Sequence, residues 1–255
     1  MKLKQTILLC LLSSLSAFGF SPYENYLLSG QQTHVALFAS AAPGKTNELA
    51  TALKTLNEKK ANKAFKKVDI SNVSCHAREL QGAVWYLIYF DYDGHNYIDA
   101  LNAFESVEAA KTLKPLVIPH PRAKANGTTW LQLEWINYIH GANPNGNEPN
   151  KFAMVTRLKP EKEAEYRWLH QNTWPGVVNR MTRMEYHDFS IFLVELGDEI
   201  YEFFYVEFIG TDAAKDQMSS LADPTYERWI KYTDPCQNPL PDADGIWSMM
   251  KPVSN

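Results

Sequence analysis

The chain repeats one pattern of segments. Residues 35–121 and 152–239 pass through the same succession. Each half opens on a short apolar run, Val35-Ala36-Leu37-Phe38 and Phe152-Ala153-Met154-Val155, that reads as a strand. Each continues into a proline-led helix start, Pro43-Gly44-Lys45 and Pro160-Glu161-Lys162. Proline fits there because the first helical N–H has no intrahelical partner to lose. Helices are expected over 47–60 and from 161 through 170 toward 184. Two runs rich in β-branched and aromatic residues follow in each half, 71–80 with 83–92 and 188–196 with 200–209. Gln81-Gly82 and Gly197-Asp198-Glu199 join them, and short Gly-bearing joints of this kind read as hairpins. Second helices are expected over 98–113 and 213–233, and closing strands over 129–136 and 245–250.

The order is therefore β-α-β-β-α-β, twice, which is the split-βαβ or ferredoxin-like arrangement of an α+β protein. A four-stranded sheet with helices on one side leaves its other face bare, and that face has to be buried. Two such units in one chain can cover each other. The two tandem ferredoxin-like units are thus expected to pair as an intrachain dimeric α+β barrel. The connection at 141–150 is rich in Gly, Asn and Pro and marks a boundary. The first unit then spans 33–140 and the second 151–255.

Residues 1–19 have the composition of a secretory signal peptide. Two lysines precede an apolar run over 6–18, and Ala17-Phe18-Gly19 supplies small residues for cleavage. Residues 20–32 form an N-terminal segment. Export to the periplasm or the medium is expected, with no membrane attachment after cleavage, because the apolar run is too short to span a bilayer comfortably. Cys75 and Cys236 then remain; an exported protein can pair them, but spacing does not decide between a disulfide and two buried thiols. The formal charge of −4 comes with no basic stripe, so no nucleic-acid partner is expected. Neither CxxC nor HExxH occurs, and no metal or other cofactor is expected.

Three clusters in the second half bear chemistry. Tyr166, His170 and Trp174 stand four apart and share a helix face if the helix runs that far, with Pro175 ending or kinking it. The two aromatics alone read as core. His170 adds a group that titrates near working pH and can both give and take a proton. Trp229, inside Tyr226-Glu227-Arg228-Trp229-Ile230-Lys231-Tyr232, offers an indole face either to the apolar side of a pyranose or to the core. The run Tyr186-His187-Asp188-Phe189-Ser190-Ile191-Phe192-Leu193 enters a strand with Phe189 on the side of Ile191 and Leu193. His187 at its mouth reads as a turn or surface residue.

In order and spacing these clusters resemble the L-rhamnose mutarotase family, over roughly 152–253. The resemblance implies a ferredoxin-like unit that works as a dimer and interconverts the α and β anomers of L-rhamnose without metal or nucleotide. It puts the proton-donating histidine on His170 and a sugar-contacting tyrosine on Tyr166. The second contacting tyrosine falls on Phe189, and an aromatic pair on Trp229 and Ile230. Phe189 lacks the hydroxyl and Ile230 removes half of the pair, which alters the hydroxyl pattern the site would accept. Leu49 and Leu53 lie where the first unit would need the tyrosine and histidine, so that unit is expected to be a scaffold partner without a site of its own. The expected function is a sugar mutarotase acting on L-rhamnose or a related monosaccharide by histidine acid/base catalysis. Further oligomerisation stays open. The alternatives are a non-catalytic carbohydrate-binding protein, or a cofactor-free or haem-dependent enzyme of the dimeric α+β barrel fold, since a fold alone does not fix chemistry.

Overall fold

The computed structural model describes residues 32–94, 97–141, 143, 145–210 and 222–253. The expected signal peptide, nearly all of the N-terminal segment and the 213–221 part of the last expected helix lie outside the described residues. The first half carries β1 (Thr33–Ala41), α1 (Thr46–Lys54), α2 (Lys59–Phe65), β2 (Ile70–Leu80) and β3 (Ala83–Tyr92). It continues through α3 (Tyr97–Ser106), α4 (Glu108–Lys111), β4 (Val117–Pro119), α5 (Pro121–Ala125), β5 (Leu131–Gln132) and β6 (Glu134–His140). The second half carries β7 (Asn150–Leu158), α6 (Glu163–Gln171), α7 (Pro175–Arg183), β8 (Tyr186–Leu196) and β9 (Glu199–Phe208). It ends with α8 (Pro224–Thr233), β10 (Ser248–Met249) and β11 (Lys251–Pro252).

The strands form two antiparallel sheets. One runs β11-β2-β3-β1-β4, with β5 also pairing β1; the other runs β10-β7-β9-β8-β6. In each, the unit's first strand lies beside its third, and the second strand lies outside the third. That is the ferredoxin-like order, twice. Each sheet is then completed by a strand from the other half. β6 joins β8, with His140 opposite Asp188, and β11 joins β2, with Lys251 opposite Ala77.

This crossing departs from the single closing strand expected over 129–136. Leu133 donates its N–H to the Ala36 carbonyl at 2.8 Å, the last such bond to the first sheet, and the chain then passes to the second. The C-terminus does the same. Met250 bonds the Ala153 carbonyl at 2.9 Å, and Val253 then bonds the Cys75 carbonyl at 2.8 Å.

Alternation along the strands builds the layers. In β1, Val35, Leu37 and Ala39 pack beneath the helices with Leu49, Leu53 and Phe104. Ala36 and Phe38 face the other sheet, among Leu87, Tyr89, Phe192, Phe203 and Tyr205. Tyr89 and Tyr205 stack across that interface with centroids 3.6 Å apart. Leu49 and Leu53 are therefore core residues of the first unit. Gln81 and Gly82 both have positive φ, as a two-residue turn matching strand twist requires. Gln81 Nε2 also donates to the Leu196 carbonyl at 2.8 Å, tying the two hairpin tips together. Cys75 and Cys236 are both buried free thiols, in separate cores. Among the described residues no helix is long and apolar enough to cross a membrane.

Candidate active site

The helix expected to run from 161 toward 184 is two helices. α6 stops at Gln171, and Trp174 is the N-cap of α7 with φ −65° and ψ 138°. Pro175 explains the break: its ring disfavours helical backbone at the residue before it, while its own fixed φ and missing N–H suit a first helical turn. Trp174 thus leaves the helix face of Tyr166 and His170. It still returns to the group, edge-on to Trp229 at 5.4 Å between centroids.

His170 stacks on Tyr166 at 4.0 Å and meets Trp229 edge-on at 5.2 Å. Phe189 reaches the same place from β8, and Ile230 from α8. All five sequence-derived positions, Tyr166, His170, Phe189, Trp229 and Ile230, border one cavity of about 400 Å³ on the helix-covered side of the second sheet. That volume is in the range of small-molecule sites. Phe204 and Trp247, 4.6 Å apart, contribute further aromatic wall.

The imidazole of His170 is 8 % exposed. Its Nδ1 lies 3.1 Å from the Tyr166 carbonyl oxygen, one helical turn back. A carbonyl only accepts, so Nδ1 carries the proton and the neutral ring presents Nε2 as an acceptor. Burial pushes the imidazole down to about 4. The ring is therefore held neutral near pH 7, as a proton acceptor. A ring that rests neutral can serve as a donor once it has taken a proton at Nε2.

Behind Tyr166 lies a carboxyl group that the sequence analysis missed. The Tyr166 hydroxyl donates to Glu202 Oε1, and Gln237 Nε2 donates to Oε2 at 3.1 Å. Glu202 is fully buried, and burial raises its carboxyl to about 8 against the pull of these two hydrogen bonds. It therefore keeps its proton at neutral pH. The Tyr166 hydroxyl is itself held well above its ordinary value, by burial first and the neighbouring Glu202 next. The available signal was a carboxylate in β9 flanked two residues either way by Ile200 and Phe204, since a charged residue on a buried face is the informative exception.

The first half also enters the site. Asn137, on the crossing strand β6, donates from Nδ2 to the His170 carbonyl and to Thr173 Oγ1 at 3.0 Å. This satisfies the carbonyl end of α6 exactly where the imidazole is mounted. Asn137 and Ile139 both line the cavity. The first unit thus also supplies a wall of the second unit's cavity.

The other rim is braced electrostatically. Asp223 caps α8 by accepting from the Thr225 and Tyr226 N–H groups at 3.1 and 3.0 Å. The buried Arg180 guanidinium lies 3.6 Å from Asp223 and 4.5 Å over the Tyr226 ring. A Cβ at Gly176 would fall 2.7 Å from Thr225 Cγ2, so glycine allows α7 to approach α8 this closely. His187, expected at a turn or on the surface, lies inside β8 with Nδ1 donating to the Gly141 carbonyl. With His140 and Asp188 it forms a group of metal-ligating chemistry, which motif spacing did not reveal.

Fold and site together define a fused pair of ferredoxin-like units forming an intrachain α+β barrel, with an aromatic, imidazole-bearing cavity in the second. Residues 151–254 match the family model described as L-rhamnose mutarotase, so this half of the chain is mutarotase-like. No curated protein matches the chain in sequence. In structure it is similar to a candidate monooxygenase from Fusobacterium nucleatum subsp. nucleatum, at 12% identity over 88% of this chain and 93% of that one, with a TM-score of 0.49. It is also similar to a candidate monooxygenase from Lactobacillus acidophilus, at 12% identity over 88% and 95% with a TM-score of 0.46. A third such structure is an anthrone oxidase-like protein, at 12% identity over 87% and 90% with a TM-score of 0.41. At these scores nothing about the chemistry of this chain follows from them.

Proposed function

We propose that the second-half cavity binds a monosaccharide, L-rhamnose or a related sugar, and interconverts its α and β anomers. The observation that carries this reading is convergence. The His170 imidazole and the Trp229 indole border one cavity of monosaccharide scale, inside the half that matches the mutarotase family.

Mutarotation takes a proton from the anomeric hydroxyl, puts one on the ring oxygen and breaks the bond between that oxygen and C1. The aldehyde then rotates, and closure on its other face gives the opposite anomer. Both oxygens are bonded to the same carbon. A neutral imidazole beside C1 can therefore take the proton from the anomeric oxygen at Nε2 and deliver it to the ring oxygen as the ring opens. Closure reverses the two transfers, so atoms and charge balance with one shuttling group. Such a positioned acid/base contributes roughly 10²–10⁴-fold. Trp229 holds the apolar face of the sugar. Tyr166, its hydroxyl committed to Glu202, serves as the platform that orients the imidazole. The lysine-led apolar N-terminus supports reading this activity as that of an exported protein.

The test is the His170→Ala variant, followed by exchange NMR between anomers of L-rhamnose, L-fucose and related sugars. Acceleration should be lost while the fold remains. Exchange at the wild-type rate would remove His170 from the mechanism. The apolar side chains at Phe189 and Ile230 favour one second reading, a sugar-binding protein without catalysis. Saturable binding by the wild type with no accelerated exchange would identify it.

A further inference from the structure

On the other side of the second sheet, the seam where β6 meets β8 gathers a second set of reactive side chains. Ile139 and Phe189 of these strands border the sugar cavity, while their neighbours His140 and Asp188 do not. His140 Nδ1 lies 3.1 Å from Asp188 Oδ1, and His187 Nε2 lies 3.8 Å from Asp188 Oδ2. One ligand atom from each of the three residues falls within 4.8 Å of the others. A tetrahedral zinc ion with bonds of about 2.0–2.1 Å sets its ligand atoms roughly 3.3 Å apart, so small side-chain rotations close the set.

We propose that His140, His187 and Asp188 bind a zinc ion that fastens the first half's crossing strand to the second half's sheet. Three further features support it. First, the ligands are already oriented. His187 Nδ1 donates to the Gly141 carbonyl, which leaves Nε2 as the unprotonated nitrogen facing Asp188. Metal-bound histidines are usually held in this way through their other nitrogen. The contact depends on glycine, because a Cβ at 141 would collide with the carbonyl oxygen of Tyr186. Tyr138 holds the carboxylate in turn, its hydroxyl donating to Asp188 Oδ1 at 2.7 Å.

Second, the surroundings favour a cation. The Tyr138 ring stacks on His34 at 4.0 Å, and His34 Nδ1 lies 2.8 Å from Asp91. Tyr89 donates to Asp91 at 2.9 Å, and its stacked neighbour Tyr205 donates to Glu207 at 2.8 Å. Asp91, Asp188 and Glu207 are all largely buried at this end of the barrel, with the Lys151 ammonium at its edge, 2.5 Å from Asn72. A divalent ion offsets that excess of carboxylates. Third, two imidazoles with one carboxylate suit zinc better than calcium or magnesium, which take oxygen ligands. The set supplies three ligands, one fewer than a tetrahedral ion takes. This site is independent of the sugar reading.

The test uses the full chain without a histidine tag, stripped with a chelator and titrated with Zn²⁺ by calorimetry and with Co²⁺ by visible absorption. One ion per chain is expected, with tetrahedral Co²⁺ bands that Zn²⁺ displaces and a melting temperature that rises with zinc. His140→Gln changes a rim side chain and should keep the fold while weakening binding at least 100-fold. Asp188→Asn should do the same. His170→Ala should bind as the wild type does. Absence of saturable binding at micromolar ion overturns the proposal. So does wild-type affinity in both His140→Gln and Asp188→Asn.

Discussion

The buried Glu202 makes stability depend on pH in a way that one isosteric change should abolish. Its carboxyl is raised from an ordinary 4.5 to about 8 by burial. In the unfolded chain it loses its proton near 4.5; in the folded chain it keeps it until about 8. Between those limits the native state holds a proton that the unfolded state has released, so stability falls as pH rises. Below about 4.5 both states are protonated and the full contribution is present. Above about 8 both are ionised and no further loss occurs. At about 1.4 kcal/mol per pH unit, the loss across the window is on the order of 5 kcal/mol. That is a large share of the roughly 5–15 kcal/mol by which folded proteins are stable. Glu202→Gln keeps the shape of the protonated acid, still accepts from Tyr166 and cannot ionise. The variant should match the wild type near pH 4.5 and become progressively more stable than it, by several kcal/mol at pH 8. Urea unfolding of both proteins at intervals from pH 4.5 to 8.5 measures the difference, in which all other titrating groups cancel. Parallel stability curves for the two proteins would refute the assignment of a neutral buried acid.

Three further outcomes are expected. With His170 pushed down to about 4, the acid limb of kcat/KM for anomer exchange should fall near pH 4, and a limb near 6.5 would place the imidazole in water. Phe189→Tyr adds a hydroxyl to the cavity wall and should tighten L-rhamnose binding by up to about fivefold, or about 1 kcal/mol, by calorimetry; unchanged affinity would mean that the position does not meet the sugar. Asn137→Ala removes the donor to the His170 carbonyl and should cost about 1–2 kcal/mol in urea unfolding and lower kcat, whereas wild-type values for both would deny β6 a part in the site.

The repeat was legible because each half writes its strands and helix starts in local patterns of period two and proline placement. Which sheet each closing strand would join was not. Residues 129–136 carry one strand signal, and the switch at Leu133 is set by which sheet edge lies within reach, a non-local matter. The same gap hid Asn137 from the site, because its contact with α6 exists only after the crossing. His170 and Trp229 were legible as candidates through family resemblance. Glu202 was masked by its setting, since a lone carboxylate in an aromatic strand reads equally as an edge residue. His140 and His187 stand far apart in sequence, and only the β6–β8 register brings them together.

The exchanged strands have a consequence for any attempt to dissect the protein. Severing the chain in the 141–150 connection and separating the pieces would strip β6 from β8 and β11 from β2, leaving each fragment with a raw sheet margin prone to self-association. The fragment bearing His170 would also lose a side of its pocket. Fusion thus locks the two copies in one-to-one ratio. One copy can then fill its helix face with Leu49 and Leu53, yet it remains obliged to deliver its final strand.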